Sequence, residues 1–386
     1  MKFAPHVILL CIGCAIGDAA AAQATPPPRH ATHSTVNYME AKWKLDPRVI
    51  LPRGPYGTFD SHVVGDPCIV WDEDVNTWRM FYFARGQVSG IDRTASNTAM
   101  ALSRSAEQIG PTDWQKIGPV FVANPQDIRF IVSWHKWFVI MDARRNNHAA
   151  RIDGKYWSMF VSYVNNRKVI QVASSAKLAG PWEVRRDPIL TNDPKGLDGR
   201  SCDTATGFWL EDERRVAIFY KAYPSVPRPE QPGSPFGSST VLAYWHPEDA
   251  VAQKRAPLLQ PGREQNWAHG WIGGVQLLYH APQDRWYGLM NGSPTPPEDK
   301  SNREPAPCMG GWITCDSQDL SKGWKVDTKH SPLLHPDRLT EAELAGGAGV
   351  NLWRHHLLST PGGQARIFTN SGAYGTEQMY SYVMVK

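Results

Sequence analysis

The sequence has no long run of like-signed charge and only six cysteines, and after its first 24 residues it has no bilayer-length apolar stretch and no Cys-x-x-Cys pair. Each absence excludes something. Lysine plus arginine comes to 41 and aspartate plus glutamate to 37, with no basic stripe, so a nucleic-acid partner is set aside. No later segment approaches the ~20 apolar residues of a spanning helix, so no membrane partner is expected. With no Cys-x-x-Cys and no His-rich spacing of the zinc-site kind after the first 24 residues, neither a metal site nor a cofactor is called for. Charged residues make up 20% of the chain and hydrophobic ones 41%, which suits a globular protein with a large core.

What the chain has instead is punctuation and aromatic bulk: 32 Gly, 31 Pro, 16 Trp, 13 Tyr and 12 Phe. Glycine and proline supply turns, and aromatic residues favour pleated, half-buried surfaces, so an all-β fold of many short strands is expected. The first 24 residues place Lys2 ahead of an apolar stretch from Val7 to Gly17 and end in Ala22-Gln23-Ala24. That three-part layout predicts a signal peptide cleaved after Ala24 and a secreted or periplasmic mature protein. Residues 25–37 form a Pro-rich linker, and a single domain runs over 38–386. Cys68, Cys202, Cys308 and Cys315 remain after cleavage, and the sequence does not choose among disulfide pairings and free thiols. Cys308 and Cys315 can pair only if Gly310-Gly311 turns the chain.

A compound pattern recurs five times: a short apolar strand, an aromatic strand, a third alternating strand, then a Trp or Gly-Pro turn and a final short strand. Asp66, Asp127, Asp203, Gly273 and Gly349 serve as equivalent starts. Four-stranded units that bury their faces only against neighbouring copies predict a five-bladed β-propeller of antiparallel blades. In the second copy, Asp127 to Val132 reads as the inner strand and Trp137 to Met141 as the next. The fifth copy lacks an outermost strand, and Tyr38 to Pro52, with apolar Val49-Ile-Leu51, can supply it.

A ring of blades brings equivalent starting positions together on the axis, so Asp66, Asp127 and Asp203 should converge. Carboxylates gathered in one funnel push their pKa values apart, which suits acid and base chemistry. Each aspartate has a plainer alternative as a turn-former at a strand start. Asp60 and His62, in Phe59-Asp-Ser-His62, bring a second carboxylate and an imidazole to the mouth of blade one. Glu264 and His269 precede the fourth inner strand and are rival proton donors, and Glu377 opens the last strand. Trp71, Trp78, Trp137 and Trp209 read as core. Trp134, Trp267 and Trp271 border loops near blade mouths, where an indole can stack on a sugar face.

With these residues in place, the chain resembles the five-bladed glycoside hydrolases, the broad group around families 43, 32, 68, 117 and 130. The resemblance rests on Gly57-Thr-Phe-Asp-Ser-His62 with Gly65-Asp-Pro-Cys-Ile-Val70, the Trp78 to Phe83 strand, the Ala173 to Trp182 segment and the closing Asn370 to Gln378 segment. It implies an enzyme that cleaves glycosidic bonds of an extracellular oligo- or polysaccharide with paired carboxylates and inversion. By position, the implied catalytic residues are Asp66, Asp203 and Glu264, with Asp60 a competing base. The remaining positions, Asp60, His62, Asp127, Trp134, Trp267, His269, Trp271 and Glu377, are implied substrate contacts. Calcium occurs in the channel of similar proteins, but no coordination motif here demands it. Blade four departs from the pattern, reading Trp271-Ile-Gly-Gly-Val275 where an acid would be offered. The alternatives are a noncatalytic glycan-binding propeller, or a phosphorylase or transferase using Arg129, Arg144, Arg145 and His148.

Overall fold

A computed structural model describes residues 36–88, 91–120, 135–225, 237–261, 267–294, 308–334, 352–372 and 375–385. Blade one shows why these sequences become strands. Val63–Asp72 is buried along almost its whole length because it packs on both faces. It turns through Asn76, whose φ of 52° suits an asparagine in a tight turn, into the aromatic strand Thr77–Val88. Ile91–Ser103 and Trp114–Pro119 complete the antiparallel sheet.

The other blades repeat this order. Blade three is built from Ser201–Leu210, Arg215–Tyr223, Ser239–Trp245 and Gln253–Leu259. Blade four is Trp271–His280, Arg285–Ser293, Met309–Cys315 and Trp324–Val326. Blade five is Leu352–Ser359, Ala365–Ser371 and Gln378–Val385, closed by Lys42–Leu51 from the start of the chain, which pairs antiparallel with Gln378–Val385. The five sheets make a five-bladed β-propeller.

Blade two departs from the reading of its sequence. Its inner strand is His135–Val139, followed by Lys155–Val164, Arg167–Ser175 and Glu183–Val184. The apolar run around Trp137 therefore faces the axis rather than standing second, and residues 155–164 form the second strand. Two adjacent apolar runs carry the same period, and hydrophobicity alone does not rank them. The chain then continues into Met141–Asp142, which pairs in parallel with Phe208–Trp209 of blade three.

All five seams between inner strands are laced differently. The Val139 N–H donates to Cys68 Sγ at 3.3 Å between blades one and two, and the Met141–Asp142 pairing joins two and three. The Thr206 hydroxyl donates to the Val275 carbonyl at 2.6 Å. Gln276 bonds both the Leu357 carbonyl, at 3.0 Å, and the Leu357 N–H, at 2.6 Å. The His356 ring sits 3.2 Å from the Ile69 N–H, closing the ring from blade five to blade one, and Asn147 Nδ2 reaches the same imidazole at 2.8 Å. Burial drives the His356 pKa down to about 3, so the ring is neutral and works as a hydrogen-bonding strut.

The four cysteines among the described residues are buried, and none is paired in a disulfide. Met309–Cys315 is one continuous strand, so Cys308 and Cys315 stand at its two ends. No helix among the described residues is long and apolar enough to cross a membrane.

The closing strand and the turn before it bury Tyr38, Leu45, Ile50 and Leu51, each at most 4% exposed. At ~1.5–3 kcal/mol per buried side chain their loss approaches the ~5–15 kcal/mol net stability of a typical domain. A chain starting at Pro52 is therefore expected to lose its cooperative melting transition in calorimetry, and an unchanged melting temperature would contradict the closure.

Candidate active site

In every blade the inner strand carries one more residue than its partner across a fixed point of the ladder. The register slips between Gly65 and Cys68, His135 and Phe138, Asp203 and Thr206, Gly273 and Val275, and Trp353 and His356. Each bulge contains one residue in the left-handed region: Asp66 (φ 48°), Lys136 (61°), Thr204 (48°), Gly274 (43°) and Arg354 (53°). Four of the five are not glycine, so the conformation is strained, and bulges re-aim side chains where function needs them. All five residues line one pit at the axis, together with His355 and His356.

Ion pairs tie the ring together. Arg354 lies between two carboxylates, its Nε 3.6 Å from Asp66 Oδ1 and its Nη2 3.8 Å from Asp203 Oδ1. Asp203 also meets Lys136 Nζ at 2.6 Å and Lys168 Nζ at 2.7 Å, and accepts from the Thr204 N–H at 2.8 Å. Asp66 is clamped from blade five: Asn370 Oδ1 accepts its backbone N–H at 3.2 Å, and Asn370 Nδ2 donates to its carboxylate at 3.3 Å. Gly65 makes that approach possible, since a Cβ there would stand 2.7 Å from the Asn370 side chain.

Glu377 enters the same corner. Its carbonyl accepts from the Val64 N–H at 3.1 Å, which holds it beside the start of blade one's inner strand. The residue is 6% exposed. Burial is the main cause that lifts its carboxyl pKa to about 7, and the charge of Asp66 adds to the rise. The N–H groups of Glu377 itself and of Gly375 pull the other way, the latter donating to Oε2 at 2.9 Å. Two neighbouring carboxyls in different environments, one ion-paired and one desolvated, are what proton donation and proton abstraction at one site require.

The sequence candidates thus divide. Asp66 lines the pit, Asp203 stands behind it in ion pairs with the lining residues Lys136 and Arg354, and Glu377 lies near enough to Asp66 to feel its charge. Asp60 stands apart: it is buried in an ion pair with Lys116 Nζ, 2.6 Å away on the outermost strand of blade one, and accepts from Thr58. His62 is half-buried, its Nδ1 3.0 Å from Ser61 Oγ, and His269 is half-buried beside blade four. Trp267 and Trp271 correct the stacking expectation, being 3% and 1% exposed. Trp267 packs against Gly292 and Gly311, and Trp271 lies beneath Lys221 Nζ at 3.8 Å, so neither offers a ring face to solvent. Asp127, Trp134 and Glu264 lie outside the described residues, as does Arg129, and Lys136 takes the blade-two position assigned to Asp127. Arg144 stacks over Tyr279 and Trp286 at the far ends of the inner strands rather than at the pit.

Lys136, Lys168, Arg354 and Asn370 were not singled out from the sequence. Arg354 left a trace in Leu352-Trp-Arg-His-His356, where three consecutive polar residues interrupt an inner strand. Lys168 and Asn370 belong to outer strands and gave no such signal. Among the described residues no group of three or more His, Cys, Asp or Glu stands together to hold a metal.

No model of a known protein family matches the chain, and no curated protein sequence matches it. Solved structures do. One described simply as a glycoside hydrolase superposes with a TM-score of 0.66 at 15% identity, covering 90% of this chain and 94% of its own. A thermostable family-43 glycoside hydrolase gives 0.57 at 16% identity, covering 87% and 91%. A structure from family 130, described as mannoside phosphorylases that include glycoside hydrolases targeting β-1,2 mannosidic linkages in Candida mannan, gives 0.55 at 12%, covering 91% and 96%. At such identities the likeness is one of fold, and the fold is the five-bladed propeller on which these glycoside hydrolases are built.

The raised Glu377 pKa has a consequence for stability. Below the unfolded value of 4.5 the carboxyl is protonated folded or unfolded, and nothing is lost. As pH rises from there to about 7, the native state holds the proton that the unfolded state releases, so stability falls. Glu377→Gln should match the parent near pH 4 and exceed it above pH 7 by on the order of 3 kcal/mol, read from melting temperature against pH. An equal difference at both pH values would contradict the placement.

Proposed function

We propose that the protein is a secreted glycoside hydrolase whose reaction takes place in the axial pit. Asp66 acts as the base that activates water, and Glu377 is the proton donor to the departing glycosidic oxygen. Asp203, tied to Lys136, Lys168 and Arg354, is a positioning residue that fixes the guanidinium against Asp66. The observation that carries this reading is the pairing of Glu377, its pKa lifted to about 7, with the ion-paired Asp66. A carboxylic acid that stays protonated to neutral pH can give its proton to the leaving group while its neighbour takes one from water. The fold of the glycoside hydrolase neighbours is consistent with a carbohydrate substrate.

Protonated Glu377 as donor makes the rate fall on the alkaline side. kcat/KM on an accepted glycoside should decline above about pH 7, and Glu377→Gln should remove that limb. Inversion is read from the first anomer seen by proton NMR.

Asp66→Asn and Glu377→Gln, each checked to be folded, should lower kcat on a natural glycan by roughly 10²-fold or more. Glu264→Gln serves as the comparison for the rival donor. Parent-level turnover in both Asp66→Asn and Glu377→Gln across aryl glycosides and plant, algal and bacterial polysaccharides would rule the assignment out. Three cations gathered around Asp203 favour phosphorolysis as a second reading, and product formation that depends on added phosphate would select it.

A further inference from the structure

The ring of left-handed residues is complete in backbone but not in side chains. Blades one, two, three and five put Asp66, Lys136, Thr204 and Arg354 at the bulge, whereas blade four has Gly274. The space a side chain would take there is small and has polar walls. A Cβ built on Gly274 would stand 2.5 Å from Asn291 Oδ1, 3.3 Å from Thr204 Cγ2 and 3.5 Å from Arg354 Nη1. Glycine is thus required twice over, by its φ of 43° and by the nearness of the Asn291 amide.

Asn291 stands on the second strand of blade four, opposite Gly273, and is 3% exposed. Its Nδ2 donates to Cys308 Sγ at 3.8 Å, which leaves Oδ1 as the atom turned to the notch. Among the described residues that oxygen has no hydrogen-bond partner, and neither does Arg354 Nη1. A buried acceptor and a buried donor, both unsatisfied and both facing one small space, are costly unless something enters that pairs with each. A hydroxyl group does so, donating to the amide oxygen while accepting from the guanidinium. A carboxylate offers acceptors only and opposes Asn291 Oδ1, so the complementary group is neutral.

We infer that the Gly274 notch is a hydroxyl-recognising subsite of the pit, in which Asn291 Oδ1 and Arg354 Nη1 hold one hydroxyl of a neutral sugar. The inference rests on the carbohydrate reading above and deepens it: Asn291 becomes a specificity determinant for one ring position.

The test is a binding cycle. In the Asp66→Asn background, a neutral oligosaccharide taken from the glycan screen and its set of monodeoxy analogues are titrated by calorimetry, with and without Asn291→Ala. One deoxy analogue should bind at least ~10-fold more weakly when Asn291 is intact, and that penalty should shrink to within ~2-fold in Asn291→Ala. Asn291→Ser, which conserves polarity with less volume, repeats the comparison if the alanine variant does not fold. Gly274→Ala, whose methyl group occupies the notch, should weaken the parent sugar toward its deoxy analogue. A deoxy profile that is the same with and without Asn291, as when the pair holds only a structural water, overturns the subsite and leaves the carbohydrate reading intact. Failure of every glycan to bind the folded protein overturns the carbohydrate reading and the subsite together.

Discussion

One backbone feature organises this molecule: each inner strand spends a single extra residue, in left-handed conformation, at the same height on the axis. An L-residue in that region is less stable than in a regular strand by roughly 1–2 kcal/mol, and four of the five positions are not glycine. The strain persists because the surroundings over-determine it. Below the bulges, five dissimilar hydrogen-bonded or strand-paired seams lock each inner strand to the next. At the bulges themselves, Arg354, Asp66, Asp203 and Lys136 meet as ion pairs that exist only because the kinks turn them toward one another.

The electrostatics follow from that geometry. Asp203 is surrounded by cations and a backbone donor, so its charge is compensated where it stands. Glu377 has no ion-pair partner of comparable closeness among the described residues and is buried beside Asp66, so its proton is retained to near neutral pH. The two histidines beside Arg354 are neutralised by burial, to about 4 at His355 and about 3 at His356, and serve the frame rather than proton traffic. Carboxyl groups of the same chemical kind thereby stand in different electrostatic environments near one pit, through burial in one case and pairing in the other.

The architecture was legible in the sequence because each blade repeats its own punctuation: an apolar inner strand, an aromatic second strand and a Trp or Gly-Pro turn. The use of residues near Val49-Ile-Leu51 to close blade five was legible for the same reason, since a missing strand at one end matched a spare apolar segment at the other. Asp66 and Asp203 stood out as charges at strand starts. What stayed hidden was decided by register. In blade two an aspartate-led apolar run resembles the Asp66 element, so the axial position was assigned to Asp127, although Lys136 occupies it. Trp267 and Trp271 border loops in sequence but fold inward, because Gly292 and Gly311 open room for one and Lys221 covers the other. Glu377 was legible as a candidate at the opening of the last strand, but its enclosure was not, and only the approach of Val64 reveals it.

The most direct measurement is a crystal structure of the Asp66→Asn variant with a slowly turned-over oligosaccharide bound. The account predicts a scissile oxygen within about 3 Å of the Glu377 carboxyl, with the anomeric carbon facing position 66 and Arg354 against the same ring. A saccharide seated elsewhere on the propeller, with the axial pit empty, would contradict it.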